Sequence, residues 1–514
     1  MEAQEARYPD NGILRLYNQF PGMYANLTEM TADIPRIVAM GFNAIWVNPF
    51  HPTGKFEVKR REGREDFRAR GSLYSITDFK HINPQLGEDV ALRYYIDQVR
   101  ANGLIPVFDL VLRHVANDID LKSQNLKIEW FKPYRDGKEM DDTLDFVYAI
   151  PSGKKGAIRQ EYEEIFGANA EKLWPEIFEQ FWKPYIDQMI RGYGFSGVRI
   201  DAVKHLPPYV IKDVCEYLHA ICPNVVIFGE LLFLHSEPKK VIERYTNLGI
   251  THITNALYSQ NFDFSSRKFG TWKSGKKQGE GDLIQEMLSW LNAATRKPGG
   301  TIGFVGSHDE TSLASSIRGA ENLEKAMKER IAAVAFTSNG GWYLMCGDEF
   351  GYERREIKIV FGEINREGGG WFANKKTSAE WSEAAAKFNF SRFIHEINTK
   401  LSALPPLTAD DWVEHLVLDQ YPDLMIIVRN SGKGFEGDTR VVLVNTGNTH
   451  LELPADYKEM IALAMRALET QKKGNRDNQA YCEMVYNKLR DLDDRSVLTI
   501  GNLSLAHRHV SRPH

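Results

Sequence analysis

Gly197-Val198-Arg199-Ile200-Asp201-Ala202-Val203-Lys204-His205 is the stretch from which the architecture can be read. Apolar and small residues here carry an arginine and an aspartate two positions apart. In a strand, residues i and i+2 point to the same side, so Arg199 and Asp201 are expected to sit together. A guanidinium beside a carboxylate favours its charged form, and an anion is what a nucleophilic aspartate must be. Alone, such a triplet is better read as a structural ion pair at a strand end. Its neighbours decide the matter.

Working outward, short apolar runs alternate with amphipathic stretches, the pattern of βα units and a parallel sheet. Strands are predicted at 13–17, 44–49, 105–111, 197–203, 225–229, 253–257, 301–306 and 342–346. Helical periodicity falls between them at about 33–40, 89–102, 168–193, 209–221, 238–247, 283–294 and 322–336. Eight such units predict an α/β fold, a (β/α)8 TIM barrel, with functional groups at the carboxyl ends of the strands. The third and fourth strands are too far apart for one βα connection, so residues 115–167 read as an inserted subdomain. The barrel then takes 1–114 and 168–403. From 404 to 514 short strands at 414–419, 424–430, 439–445 and 450–453 predict an antiparallel β-sandwich domain, with a helical insert at 455–492.

Composition narrows the function classes. The 514 residues are 43% hydrophobic and 26% charged, with a formal net charge of −5, which suits a soluble globular chain and offers no basic field for nucleic acid or an anionic membrane. No apolar run reaches membrane-spanning length, and the first residues lack the pattern of a secretory signal. Four cysteines (Cys215, Cys222, Cys346, Cys482) at these spacings suggest reduced thiols. The expectation is a cytoplasmic protein; nothing in the sequence speaks to oligomeric state.

Polar groups close several of the predicted strands: Asp109 with Arg113 and His114 on the third, Arg199 and Asp201 on the fourth, Glu230 on the fifth, His308 and Asp309 on the seventh. One carboxylate at the end of an apolar strand is easily an ion pair. Several at the same end of a barrel, with two histidines and an arginine, point to chemistry. These segments resemble the four signature regions of the α-amylase superfamily (glycoside hydrolase family thirteen): Asp109-xxx-Arg113-His114, Gly197-x-Arg199-x-Asp201-Ala202-xx-His205, Gly229-Glu230 and Phe304-xxx-His308-Asp309. Further matches lie at 41–49 and 71–78.

The resemblance implies a retaining glycosidase acting on α-1,4-linked glucans such as glycogen, starch or maltodextrins. It makes Asp201 the nucleophile, Glu230 the acid and base, and Asp309 the third carboxylate, which holds sugar hydroxyls. His114 and His308 would bond hydroxyls of the same sugar, and Tyr74 would stack beneath it. Arg199 would orient Asp201 with Asp109 supporting it, while Lys204 and His205 would meet the next glucose on the leaving side. Trp46 and Trp342 are read as core.

The chain departs from the family where many members carry a calcium-binding asparagine, because Arg113 stands there. An arginine offers only donors, so no metal and no other cofactor is expected. Arg113 could instead reach an insert carboxylate such as Asp118 or Asp120. The charged segment 55–70 reads as a solvated loop, and the aromatic in Gly368-Gly369-Gly370-Trp371-Phe372 as either a sugar platform or packing. Two alternatives stay open: a transglycosylase with the same carboxylates, and a non-catalytic glucan-binding relative.

Overall fold

Eight parallel strands close into one barrel in the computed structural model, which describes residues 12–58, 67–70, 73–132, 143–150, 169–231, 238–255, 262–263, 268–269, 300–308, 312–317, 322–337, 340–352, 383, 385–386, 388–405, 412–418, 420–431, 438–471, 486–490 and 492–506. The strands are β1 Leu14–Gln19, β2 Ala44–Val47, β3 Ile105–Leu110, β4 Gly197–Ile200, β5 Val226–Gly229, β6 His252–Asn255, β7 Gly300–Phe304 and β8 Gly341–Met345. Each pairs with its neighbours in sequence, and β1 pairs with β8 to close the ring.

Alternation along the strands divides the side chains into two shells. Leu14, Leu16, Ala44, Trp46, Ile105, Val107, Val226, Phe228, Ile302, Phe304 and Tyr343 fill the inside as one buried cluster. Their outward neighbours, among them Tyr17, Ile45, Phe108, Val198 and Ile227, join the larger core beneath the helices. The helices include α1 Leu27–Ala39, α2 Asp89–Ala101, α3 Lys183–Asp187, α4 Pro208–Ile221, α5 Pro238–Asn247, α6 Leu323–Thr337 and α7 Ser391–Ser402. Gly197 is required by space: a Cβ there would stand 2.6 Å from Val107 Cγ2.

Register sets the top of the barrel. Asp109 lies beside Arg199 and Ile200 beside Gly229. The ladder runs one step past the strands, with Asp201 N–H donating to Leu110 O (3.1 Å) and Glu230 N–H to Ile200 O (3.0 Å). Adjacent strands about 4.8 Å apart therefore deliver Asp109, Arg199, Asp201 and Glu230 to one patch.

Within the insert, His114–Ala116 pairs antiparallel with Thr143–Asp145. Part of the charged segment expected to be a loop is a hairpin, Lys55–Val58 against Phe67–Arg70. The stretch 368–372 and the predicted helix 283–294 lie outside the described residues.

Beyond the barrel, β9 Trp412–Leu418, β10 Tyr421–Ser431 and β11 Asp438–Asn445 are antiparallel, as expected. The expected antiparallel sandwich needs correction past that point. A fourth strand, β13 Val497–Ile500, joins β11 in parallel, and β12 Leu451–Leu453 pairs in parallel with β14 Leu503–Leu505. Parallel neighbours need a crossover of a dozen residues or more, and the helical segment expected at 455–492 supplies it. Its helix α8 Tyr457–Gln471 places Tyr457 and Ile461 in a core with Leu424, Ile426, Val428, Val441 and Leu443. The other sheet face, with Met425, Ile427, Val442 and Val444, joins the core of the barrel. The helix and the small β12–β14 sheet, through Leu451, Leu453, Leu503 and Leu505, thus cover the outer face together.

Candidate active site

Arg199 is the centre of the patch. Its side chain is 2% exposed and ion-paired to three carboxylates. Nη1 reaches Asp109 Oδ1 at 2.6 Å and Asp201 Oδ1 at 2.9 Å, and Nη2 reaches Glu230 Oε2 at 2.9 Å. The guanidinium lies over the rings of Trp46 and Tyr74, 5.1 and 5.4 Å from their centroids. Burial works against its charge, but the surrounding anions outweigh it and hold the guanidinium well above the usual arginine range.

Asp201 follows β4 directly, and the backbone then turns sharply: Ala202 takes φ +47°. For a residue with a Cβ this left-handed conformation costs about 1–2 kcal/mol. The turn aims the Ala202 N–H at Glu230 Oε2, 2.8 Å away. Oε2 accepts that N–H and is ion-paired to Arg199 Nη2, which favours Oε1 as the place for any proton on Glu230. Among the described residues neither Oε1 of Glu230 nor Oδ2 of Asp201 has a hydrogen-bond partner. Burial lifts the Glu230 carboxyl above its usual range, helped by Asp201 and opposed chiefly by Arg199. Two carboxylates from adjacent strands thus each offer one uncommitted oxygen. Arg199 is ion-paired to both, and burial favours protonation of Glu230.

Asp109 is 3% exposed and also accepts from Tyr74 O–H (2.8 Å) and Trp46 Nε1–H (3.3 Å). Burial pushes it up to about 7, against the pull of Arg199. It supports Arg199 as expected.

Tyr74 and His308 pack against one another. The two rings stack at 5.3 Å, and His308 is 2% exposed. Its Nε2 is 2.8 Å from Tyr74 O and its Nδ1 is 3.3 Å from Asn48 Nδ2. Both ring nitrogens have partners within the protein, which places His308 in the wall of the site. Tyr74, expected as a platform, is 6% exposed, with one face against His308 and its hydroxyl turned to Asp109.

The groups expected on the leaving side gather at the seam with the insert. His205 Nδ1–H donates to Ile150 O (3.1 Å), and Ile150 N–H donates to His205 O (2.7 Å). Burial, then Arg113 and Lys204, hold the imidazole down at about 4, so at neutral pH it is an uncharged latch on the insert. Lys204 is exposed on the same turn, and its charge acts on Glu230. His114 is half-buried on the strand facing Thr143–Asp145. Asp309 lies outside the described residues.

Arg113 does bridge to the insert, though to Asp145 instead of Asp118 or Asp120: Nη2 to Oδ2 is 3.2 Å. Lys132 Nζ approaches the same carboxylate at 3.6 Å, and burial lowers that ammonium to about 8. A donor-only guanidinium and an ammonium flanking one carboxylate do not suit a hard cation. Among the described residues no group of three acidic, histidine or cysteine side chains could hold a metal. No described helix is long and apolar enough to cross a membrane.

Sequence reasoning missed Asn18 and Asn48, both fully buried; Asn18 donates to Asn48, and Asn48 is bonded to Tyr74 and His308. The signal was present: each is a polar residue at the end of an apolar strand, the criterion that found Asp109 and Glu230. Trp46, read as core, is core and also touches Asp109 and Arg199. Trp342 is core, donating to Asn398 Oδ1 at 3.0 Å.

Comparison with known proteins agrees with this geometry. An alpha-amylase of Streptomyces lividans is 22% identical over 389 residues, 64% of this chain and 40% of that one. An alpha-1,4-glucan:maltose-1-phosphate maltosyltransferase of Salinibacter ruber is 24% identical over 223 residues, 40% of this chain and 30% of that one. The chain therefore spans less than half the length of these relatives. In fold it resembles the crystal structure of an alpha-amylase from Lactobacillus plantarum, with TM-score 0.54, 16% identity, and 83% and 87% of the two chains covered. The profile described as alpha amylase, catalytic domain, matches residues 21–396, and with a closed eight-stranded barrel carrying those residues the chain belongs to the alpha-amylase catalytic-domain family.

Proposed function

We propose that this protein is a retaining glycoside hydrolase that cleaves α-1,4-glucosidic bonds of glycogen, starch or maltodextrins through a covalent glycosyl-enzyme. The observation that carries this reading is the pair Asp201 and Glu230, held by the two ends of one buried guanidinium with one oxygen of each left uncommitted. Retaining enzymes hold their two carboxyls about 5–5.5 Å apart, a separation that neighbouring barrel strands about 4.8 Å apart can supply.

In this reading Asp201 Oδ2 attacks the anomeric carbon, with Oδ1 held by Arg199. Glu230 gives the proton on Oε1 to the leaving oxygen, then takes one from water as that water attacks the intermediate. Asp309 takes the role of the third carboxylate by resemblance. Lys204, His205 and His114 line the approach to the pair, and Tyr74, His308 and Asp109 brace Arg199. The reading includes no metal at Arg113.

A second reading keeps the same pair and lets a sugar hydroxyl or phosphate intercept the intermediate; the match to a maltosyltransferase favours keeping it. Incubation with maltoheptaose separates the two. Hydrolysis raises the reducing ends in step with the loss of substrate. Longer chains at constant reducing ends, or consumption that requires phosphate, overturn the hydrolase in favour of transfer.

A further inference from the structure

The hydrogen bonds joining the ends of β1, β2 and β7 run in one direction. The Trp46 carbonyl can only accept, so the Asn18 atom 3.1 Å from it is the amide nitrogen. That nitrogen also lies 2.7 Å from Asn48, which makes the facing atom Oδ1 and turns the Asn48 nitrogen the other way. There Nδ2 meets the Tyr74 oxygen at 3.0 Å and His308 Nδ1 at 3.3 Å. A ring nitrogen that receives an N–H carries no proton of its own, so the His308 proton sits on Nε2, 2.8 Å from the Tyr74 oxygen.

Tyr74 O thus receives two N–H groups, and its own hydrogen goes to Asp109 Oδ2 at 2.8 Å. A phenol oxygen has room for two donors. Arg199 Nη1, the most distant candidate at 3.2 Å, is left to Asp109 and Asp201. Every side chain in the run is buried: Asn18 and Asn48 at 0%, His308 at 2%, Asp109 at 3% and Tyr74 at 6% exposure.

We propose that Asn48 is a positioning residue for the reaction. Its amide, oriented by Asn18 and the main chain, imposes the Nε2–H tautomer on His308 and so aims the Tyr74 hydroxyl at Asp109, keeping Arg199 on Asp201 and Glu230. The proposal rests on the reading of Asp201 and Glu230 as the reacting pair. It adds a residue that touches neither the pair nor the sugar, and it explains why His308 turns inward. Among the described residues the groups facing Asp109 are Arg199, Asp201, Tyr74, the Trp46 N–H and, at longer range, Tyr185; those facing His308 are Asn48, Tyr74, Trp46 and Phe20.

The test is long-range proton–nitrogen NMR on the full chain labelled with 15N-histidine, the His308 signals being assigned by their loss in His308→Gln. The unsubstituted protein should show Nε2 protonated and Nδ1 bare. Asn48→Asp presents only acceptors, so the proton should move to Nδ1. Its kcat on maltoheptaose should fall about 10–100-fold, the usual effect of losing an outer orienting partner, with KM changed less than about threefold. Asn48→Leu should lose similar kcat without forcing Nδ1–H. Nδ1–H in the unsubstituted protein overturns the proposal, and so does a tautomer switch in Asn48→Asp that leaves kcat unchanged. If Asn48→Asp does not fold, the tautomer of the unsubstituted protein decides. If the protein turns over no glucan, the functional reading fails and the tautomer measurement still stands or falls alone.

Discussion

Replacing Arg199 with lysine keeps the charge and removes the fork. The guanidinium serves three carboxylates from two nitrogens pointing in different directions, at 2.6, 2.9 and 2.9 Å. One ammonium nitrogen cannot occupy both places, so at least the Glu230 arm or the shared Asp109 and Asp201 arm is lost. Hydrogen bonds to charged groups contribute about 1.5–3 kcal/mol each, and losing one or two of the three removes about 2–6 kcal/mol. If that loss falls on the reacting geometry, kcat/KM drops about 30-fold to 10⁴-fold, at tenfold per 1.36 kcal/mol. The site is almost fully buried, so added salt should restore little of it. The assay is kcat/KM of Arg199→Lys on maltoheptaose at low and high salt, with urea unfolding followed in parallel. Activity within threefold of the unsubstituted protein would refute the reasoning, since charge alone would then suffice. An unfolded variant would place Arg199 in the stability of the barrel top.

Other consequences can be checked together. Asp201→Asn and Glu230→Gln should each lower turnover by several orders of magnitude while circular dichroism stays native; unchanged rates in either would remove its assigned role. Asp109 has a folded-state pKa raised to about 7 by burial. A carboxyl so raised contributes stability at low pH that is lost as pH climbs from about 4 towards 7. The stability of the unsubstituted protein relative to Asp109→Asn should therefore fall between about pH 4 and pH 7, as read by urea melts; a difference that does not change with pH contradicts this. Asp145→Asn leaves Arg113 and Lys132 without their shared carboxylate. Limited proteolysis of the insert should speed up, whereas a calcium chelator should leave the melting temperature of the unsubstituted protein unchanged.

Much of this was legible in the sequence because barrel strands are short, apolar and closed by polar residues. All eight strands were found, most bounds within two residues, and the i and i+2 argument placed Arg199 and Asp201 on one side correctly. The helix at 391–402 was missed, and so were the final strands β13 and β14. The strands β13 and β14 join their sheets in parallel, a partnership set by a crossover that local pattern does not encode. Direction was the other blind spot. Sequence places His308 at the end of β7, but its ring is met there by Asn48, a residue 260 positions away in the chain. Arg113 was rightly expected to reach the insert, and only the fold could choose Asp145, because the hairpin that carries it pairs directly with the strand after Arg113.

The central claim, that Asp201 and Glu230 act as a retaining pair, is tested most directly by the anomer of the first product. Maltoheptaose cleavage followed by proton NMR before mutarotation should release the new reducing end as the α-anomer. Release of the β-anomer would mean a single displacement by water and would contradict the account.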